Sequence, residues 1–188
     1  MGLTVSIPTM ASAQHHATIG ELAAGFRGWG AIVECGVYLG ATTLTVSEAI
    51  GTTAAEFHCY DNFAPNDYEK TLALENQVIL PDDSRDWIRQ NVISQMPDAH
   101  VVHLHQGRLR KAKWCGKPIE LFILDGGKTD PTFSHVIDTF APYWKAGTVV
   151  CLLDAYFSTA EQYLCQRRWL EANFPNHSRV ESGAFFVA

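Results

Sequence analysis

The chain has too few basic residues for broad affinity to nucleic acid: 14 Lys and Arg stand against 20 Asp and Glu, a formal net charge of −6. Phosphate binding relies on clustered cations that release counterions, so a small neutral or cationic ligand suits this balance better. The one basic run, Arg108, Arg110, Lys111 and Lys113, follows a predicted strand and reads first as a solvated face. No stretch reaches the ~18–20 consecutive apolar residues that span a bilayer, which argues against a membrane protein. The five cysteines are odd in number and include no C-x-x-C pair. Cys35, Cys59 and Cys151 lie in apolar runs where free thiols pack as small hydrophobes, which implies a reducing, cytoplasmic compartment. Internal repeats and low-complexity tracts are also missing, so residues 1–188 read as one domain, with 1–13 as a loose leader. Nothing in the sequence fixes the oligomeric state, a homodimer included.

What is present is a globular composition, 47% hydrophobic and 18% charged, in which short β-rich runs alternate with longer helical stretches. That alternation predicts an α/β fold: a doubly wound, mostly parallel sheet covered by helices on both faces. The strands are predicted at Ala31–Val37, Glu56–Asp61, His100–His105, Ile119–Asp125 and Thr148–Asp154. Helices are predicted at Gln14–Phe26, Thr42–Ile50, Thr132–Tyr143 and Ser158–Asn173, the last with Ser158 as N-cap. Val180 and Ala184–Val187 read as an antiparallel C-terminal edge turned by Ser182-Gly183. The Asp61–His100 connection is longer than a crossover needs, and such length often builds a lid or a substrate wall.

In an open parallel sheet the first strand-to-helix loop is the usual ligand cradle, and here it reads ECGVYLGATT. Gly36 and Gly40 allow a sharp turn and a close approach of backbone to ligand, and Thr42 and Thr43 can add hydroxyls. Asp61 ends the second strand 21 residues after Gly40, the place for a carboxylate that accepts from both ribose hydroxyls. A dinucleotide loop needs G-x-G-x-x-G, whereas this one offers G-x-x-x-G with Tyr38 where a small residue would stand. Tyr38 would crowd a pyrophosphate but can wall a cofactor without phosphates, which favours S-adenosylmethionine over NAD.

The run VECGVYLGATTLTVSEAI (Val33–Ile50), followed by CYDNF (Cys59–Phe63), resembles the first motif and the acidic second-strand motif of class I S-adenosylmethionine-dependent methyltransferases. LFILDGGKTDPTFSHVIDTFAPYWKAGTVVCLLDAYF (Leu121–Phe157) is similar to the fourth strand, helix and fifth strand of small-molecule O-methyltransferases. The resemblance covers roughly two thirds of the chain and defines a fold better than a substrate. It implies Glu34 and Gly36 beside the methionine portion of the cofactor, Asp61 at the ribose, and Asn62 or Phe63 by the adenine. Gln106, Gly107 and Arg108 would frame the adenine edge.

A sulfonium is already an activated methyl donor, so such an enzyme must chiefly align an acceptor and remove its proton. Asp125, ending an apolar strand before Gly126-Gly127, is expected on the pocket floor, with helix capping as the plainer alternative. Lys128 either stabilises a developing oxyanion or pairs with Asp125 or Asp130. Asp154 ends the neighbouring strand, and with Asp125 it could bind Mg²⁺; Ala155 stands where metal-dependent relatives supply a further ligand, so no metal is expected. His103 and His105 share one strand face, and a rim or core role is expected of them; His15 and His16, being adjacent, cannot both face inward. Trp87 and Trp114 are expected to serve packing more than a substrate wall. The leading reading is methyl transfer to a small hydroxylated molecule. Its rivals are a silent binding module that keeps the fold and, behind it, a nucleotide-cofactor oxidoreductase.

Overall fold

A computed structural model describes residues 7–188. The elements in chain order are α1 (Ala13–Ala23), β1 (Ala31–Cys35), α2 (Ala41–Ile50), β2 (Ala55–Asp61), α3 (Asp67–Glu75), α4 (Arg85–Asn91) and β3 (His100–Gln106). There follow β4 (Ile119–Leu124), α5 (Asp130–Phe140), β5 (Trp144–Leu152), α6 (Cys165–Asn173), β6 (Ser178–Val180) and β7 (Gly183–Val187). They build one seven-stranded sheet in the order β3-β2-β1-β4-β5-β7-β6. The first five strands are parallel, and β7 and β6 close the edge antiparallel, as the sequence pattern predicts.

Side-chain alternation sorts the two cores. In β4, Leu121 and Ile123 join Ile19, Val46 and Ile88 on the face covered by α1, α2 and α4, whereas Phe122 and Leu124 join Phe133, Phe140 and Leu170 under α5 and α6. Being buried on both faces, β4 reads as a continuous apolar run. In α5, Phe133, Val136, Ile137 and Phe140 recur at helical spacing on the buried side, and Pro131 sits in the first turn where its missing N–H costs nothing.

Several predicted boundaries change, and three of the differences bear on the site's surroundings. The helix expected over Ser158–Asn173 begins only at Cys165, after a 3₁₀ turn at Glu161–Tyr163. The Ser158 hydroxyl accepts from the Ala160 amide at 3.1 Å and so shapes the loop rather than capping α6. β5 starts four residues earlier than predicted, because Trp144 pairs with Ile119 across a register shift. The described part of the expected leader is docked: Pro8 is buried, Ile7 packs on the core and the Ser12 hydroxyl caps α1 through the His15 amide at 3.1 Å; residues 1–6 of that leader lie outside the described residues.

Strand order reverses between β1 and β4, the switch point where ligands enter open α/β sheets. The ends of these two strands approach so closely that a Cβ on Gly36 would lie 1.8 Å from the Asp125 carbonyl oxygen. Gly36 is also at φ 89°, and its amide donates to Tyr60 O at 2.8 Å, so the first loop is fastened to β2 on one side and β4 on the other.

Candidate active site

Two cavities open at this switch point. The first, of about 430 Å³, is lined by Gly36, Asp61, Asn62, Gly107 and Arg108, with Glu69, Leu109, Arg110 and Thr132 completing the wall. The second, of about 370 Å³, contains Asp125, Lys128 and Asp154 together with His15, Tyr68 and Phe157. They adjoin where Gly36 of the first touches Asp125 of the second.

The first cavity thus gathers the sequence-predicted Gly36, Asp61, Asn62, Gly107 and Arg108. Asp61 also organises the loop beside it: its Oδ2 accepts from the amides of Val37 at 2.7 Å and Tyr38 at 3.1 Å, and its Oδ1 from the Phe63 amide at 2.9 Å. A carboxylate has about four acceptor positions, so Oδ1 keeps one for a hydroxyl in the cavity.

The remaining predicted loop residues stand behind this wall. Tyr38 does not line the cavity; at φ 51° it turns its hydroxyl to the Glu69 carbonyl at 2.7 Å, tying the loop to α3. Gly40 faces Val92, and Thr42 and Thr43 are buried in the helix they open. The Thr43 hydroxyl donates to Glu34 Oε2 at 2.5 Å.

Glu34 is therefore a buried acid beneath the site rather than a lining residue. Burial pushes its pKa to about 8; the Thr43 hydrogen bond opposes the shift, and Asp125 and Asp61 add to it. The folded chain holds this proton more tightly than the unfolded one. The stability contributed is full below about pH 4.5 and is lost, at up to ~1.4 kcal/mol per pH unit, as pH rises towards about 8. Glu34→Gln should therefore raise the melting temperature relative to the wild type more at about pH 8.5, above the window, than at about pH 5.5, near its lower end, read by thermal denaturation at the two pH values. An equal offset at both would place the acid in no such environment.

In the second cavity Lys128 Nζ lies 3.1 Å from Asp154 Oδ1 and 4.0 Å above the Phe157 ring. The ion pair expected with Asp125 or Asp130 is thus made with Asp154, 26 residues along the chain, because β5 delivers Asp154 beside the end of β4. Asp125 does not cap α5; Thr129 stands at that N-cap. Burial, reinforced by Asp154 and opposed by Lys128, raises the Asp125 pKa to about 7. Burial raises that of Asp154 as well, again against Lys128. Of the adjacent histidines, His15 is buried and faces this cavity, with Nε2 3.1 Å from the Val180 carbonyl, while His16 turns to Thr9 and Thr45.

Sequence reasoning missed several walls. Arg110 belongs to the run read as a solvated face, yet it borders the first cavity beside Arg108, which the resemblance places at the adenine edge. Tyr68 arrives from the Asp61–His100 insertion, the predicted source of a wall, but Phe157 and Ser182 carried no local signal. Trp87 and Trp114 line neither cavity and pack against the two cores, as expected of them.

The profile of the family described as "Methyltransferase domain" matches residues 33–155. No curated protein matches the chain in sequence. Among solved structures, the O-methyltransferase NovP superposes with a TM-score of 0.69 at 16% identity, covering 96% of this chain and 81% of its own. CalS11, a calicheamicin methyltransferase, gives 0.61 at 16% identity over 92% and 76%. The S-adenosylhomocysteine-bound Podospora anserina methyltransferase PaMTH1 gives 0.55 at 12% identity over 94% and 78%. At these identities the likeness establishes the fold.

Proposed function

We propose, from the premise that the chain belongs to the methyltransferase-domain family, that it moves a methyl group from S-adenosylmethionine to a hydroxyl of a small molecule. The observation that carries this reading is the pair of adjoining cavities, one walled by Gly36 and Asp61, the other by two carboxylates and a lysine. In this reading the nucleoside lies in the first cavity, with a ribose hydroxyl at Asp61 Oδ1 and the adenine near Asn62, Gly107 and Arg108. The cofactor supplies an activated methyl; this chain's residues have to orient the acceptor and take its proton.

Asp125 suits that task, because a carboxyl with a pKa near 7 balances availability against basicity at neutral pH. Lys128 directs an ammonium into the same cavity, where it offsets charge developing on the acceptor oxygen. This reading assigns no Mg²⁺ to the pair, because Lys128 Nζ, 3.1 Å from Asp154 Oδ1, already supplies a cation beside the two aspartates. No step here runs through a metal. The acidic net charge and free thiols agree with a small-molecule acceptor and the cytoplasm, respectively.

NovP and CalS11 are described by their names as O-methyltransferase and calicheamicin methyltransferase, which favours a hydroxyl acceptor over nitrogen or carbon. The test is transfer of labelled methyl from S-adenosylmethionine to a panel of phenols, catechols and sugars by metal-free protein. Turnover of at least one class, unaffected by chelator, is expected. Turnover that requires added Mg²⁺ contradicts the role given to Lys128. Tight binding of S-adenosylhomocysteine without any turnover favours the silent binding module.

A further inference from the structure

We propose that Glu56, His58 and His103 form a zinc-binding site on the β2–β3 face of the sheet, remote from both cavities. The parallel register sets His58 of β2 directly beside His103 of β3, and Glu56 lies one turn of the pleat earlier on the same face as His58. The two rings stack with centroids 4.7 Å apart, so their Nε2 atoms converge on one carboxylate oxygen. His103 Nε2 is 3.1 Å from Glu56 Oε1 and His58 Nε2 is 3.2 Å from it. All three ligand atoms fall within 4.8 Å of one another.

The two nitrogen-to-oxygen separations match the metal. With Zn–N and Zn–O bonds of about 2.0–2.1 Å, two tetrahedral ligands sit about 3.3 Å apart. Two imidazoles and one carboxylate make a donor set zinc accepts, with the fourth position open to water.

His58 supplies an independent sign. Its ring is 6% exposed, and among the described residues Nε2 finds no hydrogen-bond partner. The nearest acceptor, Glu56 Oε1 at 3.2 Å, also takes His103 Nε2 at 3.1 Å, so one carboxylate oxygen faces two ring nitrogens. On the other side of the ring, Nδ1 lies 2.9 Å from His105 Nε2. A metal on Nε2 requires the proton on Nδ1, and His105 is placed to accept it, the outer-shell bond that fixes a ligating histidine. Trp114 packs edge-on against His58 at 4.8 Å, and its indole N–H donates to the Lys117 carbonyl at 2.8 Å, roofing the site with the segment before β4.

One group opposes the ion. Lys117 Nζ bonds Glu56 Oε2, so its ammonium must move aside when a dication binds at Oε1. The test is calorimetric titration of the untagged, chelator-treated full chain with zinc chloride, alongside melting temperature. One zinc per chain and a raised melting temperature are expected. His103→Ala should weaken binding by at least ~100-fold as a lost ligand, and His105→Ala by ~10–100-fold as a lost orienting partner. Lys117→Ala should bind several-fold more tightly. If His103→Ala does not fold, Glu56→Gln serves in its place. Absence of zinc binding, or affinity unchanged in the His103 or Glu56 variant, overturns the assignment.

Discussion

Gly36→Ala should cost more than ~4 kcal/mol of stability, and any protein that does fold should have lost S-adenosylhomocysteine binding. Two effects combine at this position. An alanine at φ 89° is strained, and its methyl carbon would have to occupy the space 1.8 Å from the Asp125 carbonyl oxygen. Relief by moving β4 is blocked, because the Asp125 amide donates to the Cys35 carbonyl at 2.9 Å and the Gly36 amide to Tyr60. The loop would have to leave its position between the two strands, taking with it the Val37 and Tyr38 amides that hold Asp61. Denaturant unfolding, circular dichroism and calorimetry on the soluble fraction read the outcome. Gly40→Ala is the comparison: its methyl would meet the Val92 side chain at 3.3 Å, not backbone, so although its φ of 81° also strains an alanine, the steric part of the penalty is smaller. Equal losses at the two positions would remove the special status of the β1–β4 contact.

Lys128→Met should lower the rate of methyl transfer by about 10²–10³-fold under the proposed function, with a smaller change in cofactor affinity. The ammonium is the cation that draws the Asp125 and Asp154 pKa values down against burial. Without it both rise further, so at neutral pH the Asp125 carboxyl is protonated and cannot accept the acceptor's proton. The acidic limb of the pH–rate profile should consequently move to higher pH, and a stronger alkaline buffer should recover part of the rate. A uniform loss across the pH range, with no displacement of that limb, would leave Lys128 stabilising the acceptor oxygen without setting the Asp125 pKa, and an unchanged rate would mean that it only packs against Phe157. A loss confined to cofactor binding would place it in the other cavity.

How much of this was legible beforehand follows from where each signal resides. The central strand β4 announces itself as a nearly continuous apolar run ahead of Asp125, because a strand buried on both faces has few polar positions to spare. By contrast, β2 is legible by its β-rich makeup and the Asp61 that ends it. Gly36 beside Asp61 is likewise local, a turn requirement and a carboxylate at the ends of neighbouring strands. The partners of side chains are not local. Tyr38 reaches Glu69 and Lys128 reaches Asp154 across 31 and 26 residues, and only the strand order brings them together. The same holds for the second cavity, whose wall is assembled from Met10, Tyr68, Phe157 and Ser182. Glu56, His58 and His103 are ordinary strand residues until the β2–β3 register is known.

The central claim is that the cavity beside Gly36 and Asp61 takes a nucleoside sulfonium cofactor, and calorimetric titration of the wild-type chain with S-adenosylhomocysteine tests it most directly. One site per chain is predicted, with Asp61→Ala weakening it by at least ~10-fold, about the worth of one charge-assisted hydrogen bond to a ribose hydroxyl. No heat of binding from folded wild-type protein, or an affinity indifferent to Asp61, would contradict it.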